Sequence, residues 1–224
     1  MIPLKDNVPT RSFPIITITL MVVNILIFLW SWIQSSEYIE HFIFKYFAFN
    51  PAELLVSFTS RPDLLPYNML TIFTSMFLHG GVLHVGGNML YLWIFGNNIE
   101  DSMGRARFLV FYLLSGVIAA LVQFSFDPTS SIPMVGASGA VSGVLGAYLL
   151  LFPRARIKTL VFIFIFITTV DIPAMVLLTI WFFFQITFSS AQGVAWFAHI
   201  GGFIFGVIAS KLFLLGSRTG KTKP

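Results

Sequence analysis

Four side chains in this sequence are of the types that acyl-transfer chemistry requires: Ser138, His199, His84 and Asn88. A serine hydroxyl is a weak nucleophile until a neighbouring base takes its proton, and a neutral histidine in a partly desolvated place suits that task. Ser138 lies in Gly136-Ala137-Ser138-Gly139-Ala140 at the expected start of a helix. There, backbone N–H groups without intrahelical acceptors and the positive end of the helix dipole favour a developing oxyanion. His84 and Asn88 are four residues apart and so share one helical face. None of the nine acidic residues falls at the matching depth: Asp127 precedes the serine helix, and Glu100, Asp101 and Asp171 belong to the other side. The expectation is a Ser-His dyad, with the imidazole oriented by packing, a hydroxyl or a backbone group.

Other chemistries are excluded by residue type. The chain has no cysteine, which removes disulfides, thiolate catalysis and cysteine-ligated metals. His79, His84 and His199 could be imagined on zinc, but no H-E-x-x-H occurs and no carboxylate within the spans is available as base, so no metal and no cofactor are expected. The serine motif is not the nucleophile elbow of soluble hydrolases, because position 140 is alanine and a helix, not a strand-turn-helix, follows.

The elements that must position these residues are membrane spans. Of the 224 residues, 57% are hydrophobic and 10% charged, with a mean hydropathy of +0.88, a composition that fits a bilayer rather than water. The basic residues sit at the ends of apolar runs and form no basic face, so no nucleic-acid partner is expected. A hydrocarbon core of about 30 Å takes roughly 20 helical residues. Runs near that length cover about 14–33, 82–99, 108–126, 134–152, 172–189 and 195–215. The fold expected is therefore an all-α integral membrane bundle of six transmembrane helices spanning 14–215. A short segment 1–13 precedes it, an outer loop 34–81 interrupts it, and a tail 216–224 follows. The apolar stretch 157–170 would be only about 21 Å long as a helix, so 153–171 is read as an interfacial connection and not as a seventh span.

Lysine and arginine positions orient the bundle. Six spans place eleven of the thirteen basic residues on one side: Lys5, Arg11, Arg105, Arg107, Arg154, Arg156, Lys158, Lys211, Arg218, Lys221 and Lys223, against Lys45 and Arg61 opposite. Both termini are then cytoplasmic. Spans two, four and six all enter from the outer face, so His84, Asn88, Ser138 and His199, each early in its span, share one depth. Polar groups there are costly unless they pair or line a wet cavity. Gly139 with Gly143, Ser142 with Gly146, and Gly202 with Gly206 and Ser210 make small-xxx-small spacings that let spans four and six approach closely. That approach is what lets the Ser138 hydroxyl meet the His199 imidazole. Without further information, His84 and Asn88 could equally be an interhelical hydrogen-bonding pair.

The combination His79-x4-His84-x3-Asn88, Gly136-Ala137-Ser138-Gly139 and Ala198-His199-x-Gly201-Gly202-x3-Gly206 resembles the rhomboid intramembrane proteases over about residues 65 to 210, in that family's order and on its spans. The resemblance implies that Ser138 attacks the scissile peptide of a transmembrane protein substrate and that His199 is general base, then acid. It also implies that His84 and Asn88 stabilise the oxyanion with the Ser138 backbone N–H, and that His79 has a supporting role. The Glu100-x3-Gly104-x2-Arg107 stretch is similar to that family's turn after span two, a structural feature. Two positions depart from the pattern: a tyrosine that some members carry one turn after the nucleophile is Ser142 here, and a Trp-Arg pair in the first outer loop is missing. The location implied is multi-pass in a bacterial cell (inner) membrane. The rival readings are a catalytically inactive rhomboid-like chaperone or scaffold, whose members typically lack the serine or histidine, and a transporter, which should show paired broken helices with midplane carboxylates.

Topology is the first thing to measure. Reporter tags at residue 1, within 153–158 and after 220 are expected on the cytoplasmic side, and a tag within 55–62 outside. A cytoplasmic tag near residue 57 with the termini outside would sink the shared depth of the four polar residues.

Overall fold

The structure, a computed structural model, describes residues 1–34, 37–163, 166–187 and 195–214. Three helices in it are long and apolar enough to cross a membrane: α1 (Ile15–Ile33), α7 (Arg105–Phe126) and α10 (Trp196–Leu214). Two shorter apolar helices, α8 (Ser138–Leu151) and α9 (Ala174–Thr187), stand beside them. The second expected run is continuous from Val82 to Met103 and consists of α5 (Val82–Tyr91), a π-helical turn at Leu92–Gly96 and α6 (Asn97–Met103). Each of the six expected runs thus contains helix, with two shifts. The fourth begins at Ser138 rather than near 134, because residues ahead of it are extended: Met134 bridges to Phe49, and Gly136, at φ +120°, donates its N–H to the Ser75 carbonyl. The second runs on to Met103. The outer connection 34–81 carries α2 (Glu37–Phe47), α3 (Pro51–Thr59) and α4 (Leu65–Ser75). Asn50 caps α3 by accepting from the Ala52 and Glu53 N–H groups ahead of Pro51 at the first helical position. The expected tail 216–224 with Arg218, Lys221 and Lys223, and the turn between the fifth and sixth runs at 188–194, lie outside the described residues.

The all-α expectation needs correction in one place. The described residues of 157–170 lie in two antiparallel strands, β2 (Arg156–Ile163) and β3 (Phe166–Pro173), and β2 pairs on its other edge with β1 (Ile2–Asp6) in an antiparallel sheet of order β1-β2-β3. The signal is period-two alternation of burial: Ile157 and Thr159 are buried, whereas Arg156, Lys158 and Phe162 are exposed. β-Branched residues on a half-buried pleat favour strand over helix. Hydropathy alone does not register this.

One end of the bundle gathers the segments that the positive charges group together. The buried Glu100 carboxylate accepts from the N–H groups of Ile16 and Thr17 and from the Thr17 hydroxyl, and Asp101 accepts from the N–H groups of Arg11 and Ser12. Both carboxylates face the N-terminus of α1, where the orphan donors and the dipole favour an anion. Gly104, at φ +82°, makes the turn into α7. The Asp6 carboxylate accepts from the Tyr148 hydroxyl near the other end of α8 and from the Asn98 amide. Its pKa is raised, chiefly by burial, against the lowering effect of those two bonds.

α8 is the axis. Every residue from Ala140 to Tyr148 is buried, and α8 packs against both α10 and α7. The contact with α10 is backbone on backbone. A Cβ at Gly202 would run into the Gly139 carbonyl, one at Gly206 into the Gly143 carbonyl, and one at Gly146 into the Phe203 carbonyl. On the other flank Gly143 faces the Ser115 side chain and Gly139 the Ala119 methyl of α7. The small-xxx-small spacings therefore do form the contact expected of them.

These contacts set a stability contrast. Gly206→Val should cost about 1–3 kcal/mol or more by forcing α8 and α10 apart. Gly86→Ala, on an exposed helical position with open space around it, should be neutral or stabilise by about 0.5–1 kcal/mol. Unfolding in mixed micelles measures both; equal effects would contradict the packing.

Candidate functional site

Ser138 opens α8, with Ala137 as the preceding cap residue. The N–H groups of Ser138, Gly139 and Ala140 are thus in the first turn, which has no intrahelical acceptor for them. The strained turn at Gly136 that delivers the chain to this point is crowded: a Cβ there would lie 2.7 Å from His84 Nε2 and 3.6 Å from Ser138 Oγ. Glycine is required both by the positive φ and by this approach. His199 sits in the first turn of α10, whose entry is fixed by Gln123, a buried amide on α7 that accepts from the Ala198 N–H at 3.3 Å.

Because α8 and α10 touch through glycine, His199 Nε2 comes to 2.8 Å from Ser138 Oγ. That is a hydrogen bond of the length needed to pass a proton from the hydroxyl to the ring. Ser138, His199, His84 and Asn88 line one cavity of about 440 Å³, together with Trp181 and Gln185 of α9. The Asn88 Nδ2 amide is buried with no partner among the described residues. A buried donor without an acceptor is unusual and marks a place where an incoming polar group gains a bond. The four residues that the sequence set at one depth are therefore neighbours.

His79 is placed differently. It does not line that cavity but backs it, with its ring 5.1 Å from that of His84 and its Nε2 accepting a long bond, 3.5 Å, from the Ala137 N–H. It thereby steadies the peptide just before Ser138. Burial, and secondarily the proximity of His84, hold its pKa down to about 4. Gly139 carries no ligand-facing group; its role is the close approach of α7 and, through its carbonyl, of α10.

Three residues were not legible in the sequence. Gln185, on α9 and buried, places its Oε1 2.8 Å from His199 Nδ1. The histidine is thus held by a side-chain amide, which was not among the expected supports, and by packing, which was. Trp181 of α9 and Trp196 of α10 flank the imidazole, with ring centroids 6.3 and 6.0 Å away, the latter edge-on. Ser142, where a stacking tyrosine was missing, turns its hydroxyl back onto the Ser138 carbonyl at 2.7 Å. The aromatic surroundings of His199 are supplied by indoles from other positions. The only advance signal for Gln185 was an amide in an otherwise apolar run, Ile180 to Ile186.

Apolar helices packed around a half-buried serine–histidine pair define a helical membrane protein with a polar centre. The rhomboid domain profile matches residues 66–216, and the chain belongs to the rhomboid family. It is 32% identical over 177 residues, 75% of this chain, to presenilin-associated rhomboid-like protein A, mitochondrial, of Danio rerio. It is 32% identical over 162 residues, 70% of this chain, to rhomboid protease GluP of Bacillus subtilis, and 36% identical over 97 residues, 42% of this chain, to rhomboid protein 1, mitochondrial, of Saccharomyces cerevisiae. The matched regions span 40%, 29% and 28% of those proteins respectively, so the chain corresponds to less than half of each.

The depressed pKa of His79 makes stability pH-dependent. Its folded value of about 4 lies below the unfolded value near 6.5, so the unfolded chain binds the extra proton between them. The stability it contributes is full above about pH 6.5 and is lost as pH falls toward 4. Thermal unfolding from pH 7 to 4 should show this loss, and His79→Gln, a neutral acceptor, should flatten the His79 component. An unchanged slope in His79→Gln would rule the assignment out.

Proposed function

We propose that this protein is an intramembrane serine endopeptidase that cleaves peptide bonds in or near the transmembrane segments of other membrane proteins. The observation that carries the reading is the 2.8 Å contact between Ser138 Oγ and His199 Nε2 in the wall of a shared cavity. Ser138 attacks the scissile carbonyl while His199 Nε2 takes the hydroxyl proton. The ring then returns that proton to the leaving amine, and a water activated by the same nitrogen hydrolyses the acyl-enzyme. The oxyanion is met by the first-turn N–H groups of α8 with Asn88 and His84, and the buried Asn88 amide is a donor in need of an acceptor. His79, Gly136 and Gly139 are supporting residues. The 32% identity to a relative whose name is rhomboid protease supports the activity.

Six spans over 14–215 with both termini cytoplasmic remain the proposed topology. Its support is that β1, the Glu100–Asp101 turn and the β2–β3 strand pair meet at one end of the bundle, as an even number of crossings requires. The Arg107 guanidinium reaching the Phe213 carbonyl adds the end of α10 to the same group. A bacterial cell membrane is the proposed location, supported by the Bacillus subtilis relative; the mitochondrial names of other relatives are the observation against it. Substrates need an extended backbone at the cut, so a single helix weakened by glycine or similar residues near the outer face is the favoured target.

Mutant kinetics test the site. Ser138→Ala and His199→Ala should each abolish turnover, and the double variant should be no worse, since nucleophile and base act as a unit. Asn88→Ala and His84→Ala should leave Ser138 open to a fluorophosphonate label yet slow peptide cleavage. The loss should be at most about 2.7–4 kcal/mol each, and less where backbone donors share the charge. Proteolysis that survives in purified Ser138→Ala would move the nucleophile elsewhere, and a wild type that neither labels nor cleaves would leave a non-enzymatic scaffold.

A further inference from the structure

We infer that Gln185 is a positioning residue that fixes the tautomer of His199, with the Trp181 carbonyl fixing Gln185 in turn. This rests on the proposed Ser138–His199 dyad. Gln185 touches the histidine and not the reacting atoms, so it acts through His199.

An amide end is ambiguous, since its oxygen accepts and its nitrogen donates. Here the second contact resolves it. Gln185 Nε2 lies 3.3 Å from the Trp181 carbonyl oxygen, one turn back on α9. A flipped amide would set two acceptor oxygens against each other there and leave the NH2 group facing His199 Nδ1. The arrangement with all partners matched has Gln185 Nε2 donating to the Trp181 carbonyl and Gln185 Oε1 facing His199 Nδ1 at 2.8 Å. Nδ1 must then carry the proton and donate it. A neutral imidazole protonated at Nδ1 has its lone pair on Nε2, and Nε2 is the nitrogen 2.8 Å from Ser138 Oγ. The hydroxyl proton consequently points at the ring. The relay has one direction throughout: Ser138 donates to His199, His199 donates to Gln185, and Gln185 donates to the Trp181 backbone.

The opposite tautomer would present an N–H to Ser138 and could accept nothing from it. In soluble serine proteases, changing the orienting carboxylate to an amide costs about 10⁴ in kcat through the wrong tautomer. An amide does the carboxylate's orienting work here because a backbone carbonyl dictates which of its ends faces the ring. Gln185 is buried, so no bulk water competes to turn it.

The tautomer is readable without activity. In full-length protein carrying 15N-histidine in detergent micelles at neutral pH, the His199 signals, assigned by their loss in His199→Ala, should show the pattern of a ring protonated at Nδ1. Gln185→Leu should shift His199 toward a mixture of tautomers and lower kcat by about 10–100-fold, as when the partner orienting a functional histidine is removed, with KM little changed. Gln185→Glu, which keeps an acceptor oxygen toward Nδ1 but loses the bond to the Trp181 carbonyl, should restore the Nδ1–H pattern and part of the turnover. A wild-type ring protonated at Nε2, or a Gln185→Glu protein that folds but behaves as Gln185→Leu does, overturns the inference. Should Gln185→Leu not fold, the wild-type spectrum and Gln185→Glu still decide. Failure of the protease reading would show separately, as wild type that takes no fluorophosphonate label whatever the tautomer.

Discussion

The contact of α8 with α10 through bare backbone is the constraint on which the rest depends. Gly146 on one helix and Gly202 and Gly206 on the other leave no room for a single added carbon, and Gly139 and Gly143 leave none toward α7. In lipid there is no hydrophobic drive to bring helices together, so association rests on close packing and on polar bonds. Glycine supplies the packing, and the approach it permits puts a hydroxyl and an imidazole at bonding distance. The same contact explains why α8 can be only fourteen residues long: it is enclosed by its neighbours and meets little lipid of its own.

Around that axis the polar groups are arranged at two ends with different logic. At the end near Asp6, carboxylates are matched with donors: Glu100 and Asp101 with the start of α1, Asp6 with Tyr148 and Asn98. These bonds hold elements in place, although the Asn98 side-chain oxygen has no partner among the described residues. At the end near Ser138 the groups are uncharged amides, imidazoles and a hydroxyl, and one of them, the Asn88 amide, is left without a partner among the described residues. A fully matched network stabilises, and a partly matched one is available to a ligand. What sets the Ser138 end apart is a hydroxyl in bonding contact with an imidazole beside an unpaired amide donor.

How far this was legible in the sequence depends on whether a residue's partner shares a pattern with it. Ser138 and His199 were readable because each lies in a glycine motif and at a definable depth in an apolar run. His84 and Asn88 were readable from their spacing of four. Gln185 was not, since a lone amide has no spacing partner in its own helix, and its mate is fourteen residues on, beyond a turn. The sheet was hidden for a different reason: 157–170 was judged by length and hydropathy, whereas its alternation of Ile157, Thr159 and Val161 with Lys158 and Phe162 has the period of a strand. The start of α8 at Ser138 followed from Gly136, whose left-handed backbone ends the extended approach and which hydropathy cannot locate.

The sheet also imposes an order on assembly. β1 leaves the ribosome well before the strand it pairs with, since β2 comes some 150 positions later. At roughly 5–20 residues per second of synthesis, β1 waits on the order of ten to thirty seconds for its partner. During that interval α1 can enter the membrane, but its leading strand has unpaired backbone donors and acceptors, and closing so long a loop is slow. Registration of β1 against β2 is therefore a late event, one that locks the two ends of the first four helical runs together only after the serine helix has been made.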